Sequence, residues 1–232
     1  MSTEKNVKVI AGTDFHGSRG ALKAFARNIR QYEADLAVIC GDITNFGTVE
    51  QAKNLLVETL TEVNVPIIFI PGNCDPPSLT DLQIKGLTCI HGEIFLHDNL
   101  AFIGLGGSTI SPFNTFFEMN EEEITGILNR CVENLNRLTQ KPNVILISHS
   151  PPKNTKLDKT FSGAHVGSIS VRRFIEENKP ILVFCGHIHE ARGIDYIGNS
   201  VIVNPGPAKQ GNYALATIEG DKVKIDLKRE QF

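Results

Sequence analysis

A chain of 232 residues, 41% of them hydrophobic, can bury a sizeable core, so neither disulfides nor an oligomer is needed merely to hold it together. Its net charge of −3, from 23 basic and 26 acidic residues, argues against a broadly basic nucleic-acid surface but leaves room for a local phosphate pocket. Five scattered cysteines without a CxxC pair predict reduced, buried thiols rather than a thiolate zinc site. The polar start MSTEKNVKVIAG does not read as a signal peptide, and no apolar run approaches the about 20 residues that span a bilayer. The expectation is a cytoplasmic protein with no membrane contact.

Residues 7–10 begin an apolar, β-rich run. Residues 20–32 place Leu22, Phe25, Ala26 and Ile29 at helical spacing. A strand at 36–40, a helix at 49–63 with Leu55, Leu56, Leu60 and Val63 on one side, and a strand at 67–70 follow. This βαβαβ order predicts right-handed parallel crossovers and strands covered on both faces. Beyond Asp75 the pattern changes to short strands at 88–90, 94–96 and 100–105. A helix over 120–139 opens with Glu121, Glu122 and Glu123, where negative charge suits the helix dipole. A strand at 144–148, a helix at 167–178 and a strand at 181–185 come next. Residues 196–227 read as successive antiparallel strands, with a hairpin turn at Glu219-Gly220-Asp221-Lys222. No Pro/Ser linker, charge block or repeat divides the chain, so 1–232 is expected to form one domain with a mixed α/β core and two sheets.

Five apolar runs break on nitrogen or oxygen donors: VKVIAGTDFH, LAVICGD, IIFIPGN, VILISH and LVFCGHIH. Their candidate metal ligands are Asp14, His16, Asp42, Asn73, His149, His187 and His189. Singly, each motif also fits a loop or turn. Together they are expected at strand carboxyl ends, which form one crevice edge in open α/β sheets. Asp14 and His16, two residues apart, are expected to point the same way from an extended segment. Seven donors exceed one tetrahedral zinc and suit two ions sharing a carboxylate. Two divalent ions, two carboxylates and a hydroxide sum to about +1, which favours an anionic phosphate ester over a neutral peptide or acyl ester.

The order D-x-H, G-D, G-N, H and G-H-x-H resembles the calcineurin-like metallophosphoesterase superfamily over roughly residues 7–206. GDITNFG, PGNCD, GGSTISPFNTFFEMNEEEI and GHIHEARG make it most similar to the Icc-related predicted phosphoesterases. The resemblance implies a four-layer α/β/β/α sandwich of two mixed β-sheets flanked by helices. It also implies a dinuclear metal centre: Asp14, His16 and His189 on one ion, Asn73, His149 and His187 on the other, Asp42 bridging. A hydroxide between the ions would attack phosphorus in line with the leaving oxygen. The donors suit two divalent transition metal ions, Mn, Fe, Zn, Co or Ni, without choosing among them.

In that superfamily a histidine usually follows the ligand asparagine and is implicated in transition-state stabilisation and leaving-group protonation. Here the position is Cys74, a poor hydrogen-bond donor. Phosphodiesters, or esters of acidic alcohols, are therefore expected over alkyl monoesters. Cys74 itself reads as a small filler beside the substrate. His165, in the loop SGAHVGS, is a candidate to supply the missing catalytic function or to bind substrate, or else a helix-entry histidine in solvent. Asn73 and Asp75 complete the catalytic candidates, Asp75 orienting the third motif, and Asn45 is expected near the mouth of the site. Phe113, Phe116 and Phe117 fall in a predicted loop that would line a pocket, stack a base, form a dimer contact or pin itself to the core. Arg19, Lys153, Arg192 and Lys209 are phosphate-binding candidates or surface charges, and His91 and His97 read as structural or exposed. The expected partner is a small phosphoester or nucleotide-like substrate, with homo-oligomers left open and nucleic acid disfavoured. The competing reading is a catalytically weak or inactive interaction scaffold on the same fold.

Overall fold

The structure, a computed structural model, describes residues 6–232. The chain begins β1 (Val7–Gly12), α1 (Arg19–Gln31), β2 (Leu36–Cys40), α2 (Val49–Thr61), β3 (Ile67–Ile70), β4 (Gln83–Ile84), β5 (Leu87–Cys89), β6 (Ile94–His97) and β7 (Leu100–Leu105). It continues with β8 (Ser108–Thr109), β9 (Glu118–Met119), α3 (Glu121–Asn136), β10 (Asn143–Ser148), α4 (Ile169–Asn178) and β11 (Leu182–Phe184). Two hairpins close it: β12 (Gly193–Ile197) with β13 (Ser200–Asn204), and β14 (Asn212–Glu219) with β15 (Lys222–Arg229). No helix among the described residues is long and apolar enough to cross a membrane.

Each α-helix opens on a side chain that satisfies an otherwise orphaned backbone N–H. Ser18 accepts from the Ala21 amide and Ser168 from the Val171 amide. Thr48 with Gln51, and Asn120 with Glu123, form reciprocal capping boxes. The cap at Ser168 moves the start of α4 to Ile169, past the expected Gly167.

In the first sheet β1, β2, β3 and β5 pair in parallel, within the order β15-β14-β1-β2-β3-β5-β4. The second has the order β12-β13-β11-β10-β7-β6, a parallel centre with antiparallel edges. Successive residues of a strand go to opposite faces. Ile10, Ala37 and Ile39 therefore pack with Leu22, Phe25 and Leu56 of the first two helices. Val9, Ala11, Leu36 and Val38 face Phe102, Ile145, Ile147 and Phe184 of the other sheet. On the far side Ile103, Leu146 and Val183 meet Leu128, Cys131, Val171 and Phe174 of α3 and α4. The result is a four-layer α/β/β/α sandwich of two mixed sheets.

The expected antiparallel run over 196–227 is corrected by this topology. Its two hairpins belong to different sheets, and β13 also pairs in parallel with β11. Alternation reports which residues are buried but not which strand lies alongside. The segment between β13 and β14 carries the chain from one sheet to the other, and its Pro207 bridges back to Thr13.

Candidate metal centre

β1, β2, β3, β10 and β11 each stop one to three residues before a predicted donor. The first sheet contributes Asp14, His16, Asp42 and Asn73, and the second contributes His149, His187 and His189. The extended geometry expected for Asp14-Phe15-His16 is not what the chain adopts. Asp14 (φ 55°) and His16 (φ 46°) are left-handed, as are Asp42 (φ 50°) and His187 (φ 67°). Backbone of this kind costs about 1–3 kcal/mol per residue and persists only where the surroundings impose it. Here the amides of Asp14 and His16 donate to the carbonyls of Gly41 (3.1 Å) and Asp42 (2.8 Å), while Phe15 is fully buried against Phe25. Close approach also dictates glycine at position 72, where a Cβ would collide with the Asp42 carboxylate.

Two groups of donors form around Asp42. On one side His16 Nε2 lies 3.1 Å from His189 Nε2, 3.6 Å from Asp42 Oδ2 and 4.0 Å from Asp14 Oδ1. His189 Nε2 is 3.3 Å from the same Asp14 oxygen, which is buried and accepts no hydrogen bond. On the other side Asn73 Oδ1 is 3.0 Å from His149 Nε2 and 2.8 Å from His187 Nδ1, and Asp42 Oδ1 is 3.5 Å from His149 Nε2. A carbonyl only accepts, so His149 Nδ1, 2.7 Å from the Cys40 carbonyl oxygen, is the protonated nitrogen of the neutral ring. In that neutral ring the Nε2 lone pair faces the Asn73 and Asp42 oxygens, so a proton or a cation has to lie between them. Lone pairs brought together in this way, with an orphaned carboxylate oxygen among them, fit bound cations. The Cys40 carbonyl stands where an outer partner would orient a metal-binding imidazole.

The sequence pattern of the calcineurin-like phosphoesterases matches residues 7–191. The chain belongs to that family. An uncharacterized protein of Methanocaldococcus jannaschii is 39% identical over 210 residues, covering 88% of this chain and 89% of that protein. A probable glycerophosphodiester phosphodiesterase of Arcobacter nitrofigilis is 26% identical over 202 residues, 84% of this chain and 67% of that one. The crystal structure of a dimetal phosphatase from Danio rerio shares the fold, with a TM-score of 0.69 at 12% identity and 96% of each chain covered. The calcineurin-like phosphoesterases are phosphoric ester hydrolases that use divalent metal ions, and clusters such as Asp14–His16–His189 and Asp14–Asp42–His149 are candidate ligands in this member.

Without cations, the electrostatics of this phosphoesterase centre on His149. Burial alone would lower its pKa, but Asp42, Asp14 and the bond to the Cys40 carbonyl together outweigh burial and lift it to about 9. Burial would raise Asp42, and His149 instead holds it below the usual carboxylate range. Burial and the neighbouring His149 push His187 down to about 4. His149 therefore carries a proton at neutral pH when no cation is bound. Cys74 lies within 4.8 Å of donor atoms on His16 and Asp42, closer to the donors than a filler role requires. Burial and then Asp42 raise its thiol far above the ordinary value, so it stays protonated.

The Asp75 carboxylate is buried and fully engaged. It accepts from the amides of Gly72 (2.9 Å), Ile43 (2.9 Å) and Thr44 (2.7 Å) and from the Thr44 hydroxyl (2.8 Å). It thereby ties the Asp42 loop to the Asn73 loop. Asn45 lines a cavity of about 300 Å³ together with His16 and Thr44. His165 places Nδ1 2.7 Å from Asp158 Oδ1 and makes no hydrogen bond or ion pair to the seven donors among the described residues. Its loop reaches the centre through the Phe161 amide, 3.0 Å from the carboxylate of Glu190, the residue after His189. Of the candidate cations, Arg19 pairs with Glu58 and Arg192 bonds carbonyls of Pro205 and Lys228. Lys153 bonds the His165 carbonyl, whereas the charge of Lys209 is felt at His16. His91 accepts from the Gly106 amide at 2.9 Å, a structural position.

Two residues escaped the sequence reading. Asp158 also accepts from the amides of Asn154, Thr155 and Gly167 and so organises the His165 loop. Asn204, fully buried, donates to the Ile188 carbonyl at 2.9 Å and accepts from the Gly206 amide at 2.8 Å, bracing the turn between His187 and His189. A signal for Asn204 was present: VIVNPG is a sixth apolar run ending on a polar residue.

Proposed function

We propose that this protein is a dinuclear metal-dependent phosphodiesterase acting on a small or nucleotide-like phosphoester. The reading is carried by Asp42, whose Oδ2 faces His16 and whose Oδ1 faces His149. Asp14, His16 and His189 would hold one divalent ion, Asn73, His149 and His187 the other, with Asp42 between them. When bound, such a pair offsets charge on the phosphoryl oxygens and makes water a stronger nucleophile at neutral pH. The nitrogen and oxygen donors suit Mn, Fe, Zn, Co or Ni, and manganese is the first to try. The remaining residues position these groups. Asp75 holds the two central loops in register, the Cys40 carbonyl fixes the His149 tautomer, and Lys209 adds positive charge near His16.

Preference for diesters follows from the leaving group. Attack on phosphorus breaks the P–O bond to the leaving oxygen, and a basic alkoxide must then take a proton. A protonated thiol with a raised pKa is a poor donor for that step. What protonation the leaving oxygen does receive we assign to His165, whose Nδ1 is held by Asp158 and which, standing outside the seven donors, does not restore the aid of a third-motif histidine. A hydrogen bond to the substrate from the same ring, and another from Asn45, complete the proposed contacts. The probable glycerophosphodiester phosphodiesterase among the relatives supports the diester reading. The five free thiols fit a reducing compartment such as the cytoplasm.

The test is a substrate panel with Mn²⁺: an aryl diester, an aryl monoester and an alkyl monoester on one preparation. The diester should turn over fastest, and faster alkyl monoester hydrolysis would reverse the assignment. Two bound ions without turnover of any phosphoester would favour the scaffold instead.

A further inference from the structure

We infer that Phe46 and Phe116 form a stacking ledge that selects phosphoesters carrying a flat aromatic group, such as a nucleobase, beside the phosphate. The inference rests on the phosphoesterase reading of the metal centre and adds the part of the substrate that the metal ligands do not touch. The two rings meet edge to face, with centroids 5.2 Å apart and planes at 83°. Each stays about half exposed, at 49% and 50%. Neither ring belongs to a hydrophobic core formed by the described residues.

The ledge is attached to the site through both of its loops. The Phe46 amide donates to the Cys74 carbonyl at 3.1 Å, and the amide of Phe117 donates to the Asn73 carbonyl at 3.1 Å. Asn73 and Cys74 are the proposed ligand and its neighbour in the third motif, so Phe46 itself and the residue next to Phe116 are bonded to that motif. Asn45, next in sequence to Phe46, lines the cavity that also contains His16. Phosphate held at the metal ligands would leave its ester group within reach of these loops.

The ledge is also held in place. Phe46 is left-handed at φ 56°, an outlying conformation for a bulky residue. Burial does not explain it, because the ring is half exposed. Strain at an exposed aromatic beside a metal centre is where a positioning role is to be sought. The other loop is fixed by Glu118, which accepts from the amides of Ser111 (3.1 Å) and Thr115 (3.0 Å) and from both hydroxyls (2.6 Å each). Phe117 anchors the loop against the core beside α3, leaving Phe116 outside. A ring pre-set in this way loses little freedom when a base stacks on it. Phe113, 81% exposed on the same loop, has no ring contact among the described residues and is not assigned to the ledge.

The experiment compares two ligands that differ only by the base. Adenosine 5′-monophosphate and ribose 5-phosphate are titrated into the Mn²⁺-loaded protein by calorimetry, so the readout does not depend on turnover. The nucleotide should bind on the order of 10- to 100-fold tighter, the range of one base stacked on an aromatic ring. The double variant Phe46→Gly, Phe116→Leu should bring the two affinities together. Glycine relieves the left-handed backbone and leucine keeps apolar bulk, so the variant should fold, and its melting temperature checks that. Equal affinities in the natural protein would overturn the ledge, as would a ratio that survives the double substitution. A variant that changes its sedimentation coefficient while keeping the ratio would make the patch a contact between copies and likewise overturn it. Failure of the phosphoesterase reading looks different: no phosphoester is hydrolysed, whatever the affinity ratio.

Discussion

Metal uptake should compete with one proton at His149, and pH is the perturbation that exposes it. In the metal-free protein Asp42 and Asp14 overcome the penalty of burial and lift this imidazole to about 9. The ring must lose that proton before Nε2 can bind an ion. At pH 7, roughly two units below its pKa, the apparent affinity of the ion held by His149 should be about 100-fold weaker than above pH 9, or about 2.7 kcal/mol. Close to one proton should be released per ion bound at that side. Stability carries the matching signature. A pKa raised on folding contributes stability that is complete below the unfolded value near 6.5 and is lost as pH rises through about 9. The metal-free protein should therefore melt lower as pH climbs through that window, while the stabilisation added by Mn²⁺ grows. Calorimetry at pH 7 in two buffers of different ionisation enthalpy measures the proton directly. Identical heats in the two buffers, together with a flat metal-free melting temperature from pH 6.5 to 9, would refute the assignment of the proton to His149.

Other substitutions test the supporting residues. Asp75→Asn turns an NH2 toward at least one buried N–H donor, either the amides of Ile43 and Gly72 that now meet Oδ2 or the Thr44 amide that meets Oδ1. Relief of repulsion from Asp42, which with burial lifts Asp75 to about 6, offsets part of the loss. A net cost of about 2–4 kcal/mol is expected from urea unfolding, and an unchanged midpoint would show that the carboxylate does not hold the loops. Asn204→Ala should lower metal content in the purified protein by loosening the turn between His187 and His189, with about 2 kcal/mol lost from stability. Cys74→His should raise monoester turnover relative to diester turnover. No change in that ratio would mean that the thiol is not what limits monoester hydrolysis.

The central strands and the four helices could be read from local pattern because each depends on neighbours a few residues away. Continuous apolar runs marked strands buried on both faces, and Leu22, Phe25 and Ile29 marked the buried stripe of α1. Each donor could be read because a β-rich run stopped on a polar residue, and the structure brings all seven together. The left-handed conformations of Asp14, His16, Asp42 and His187 could not. They are imposed by bonds between loops, such as the His16 amide to the Asp42 carbonyl, rather than by residue type.

What the sequence alone determined, then, is the order of the longer elements, the seven polar side chains that gather at the strand ends and the thiol where the family usually carries histidine. Each is a property of a residue and its near neighbours. Tertiary structure decided which sheet each C-terminal hairpin joins, which tautomer His149 adopts and which carboxylate holds His165. The bond that orients His149 reaches the Cys40 carbonyl across 109 residues of chain, from one sheet to the other. No local pattern encodes a contact of that span, because it exists only once the two sheets have packed and their strand ends share one edge.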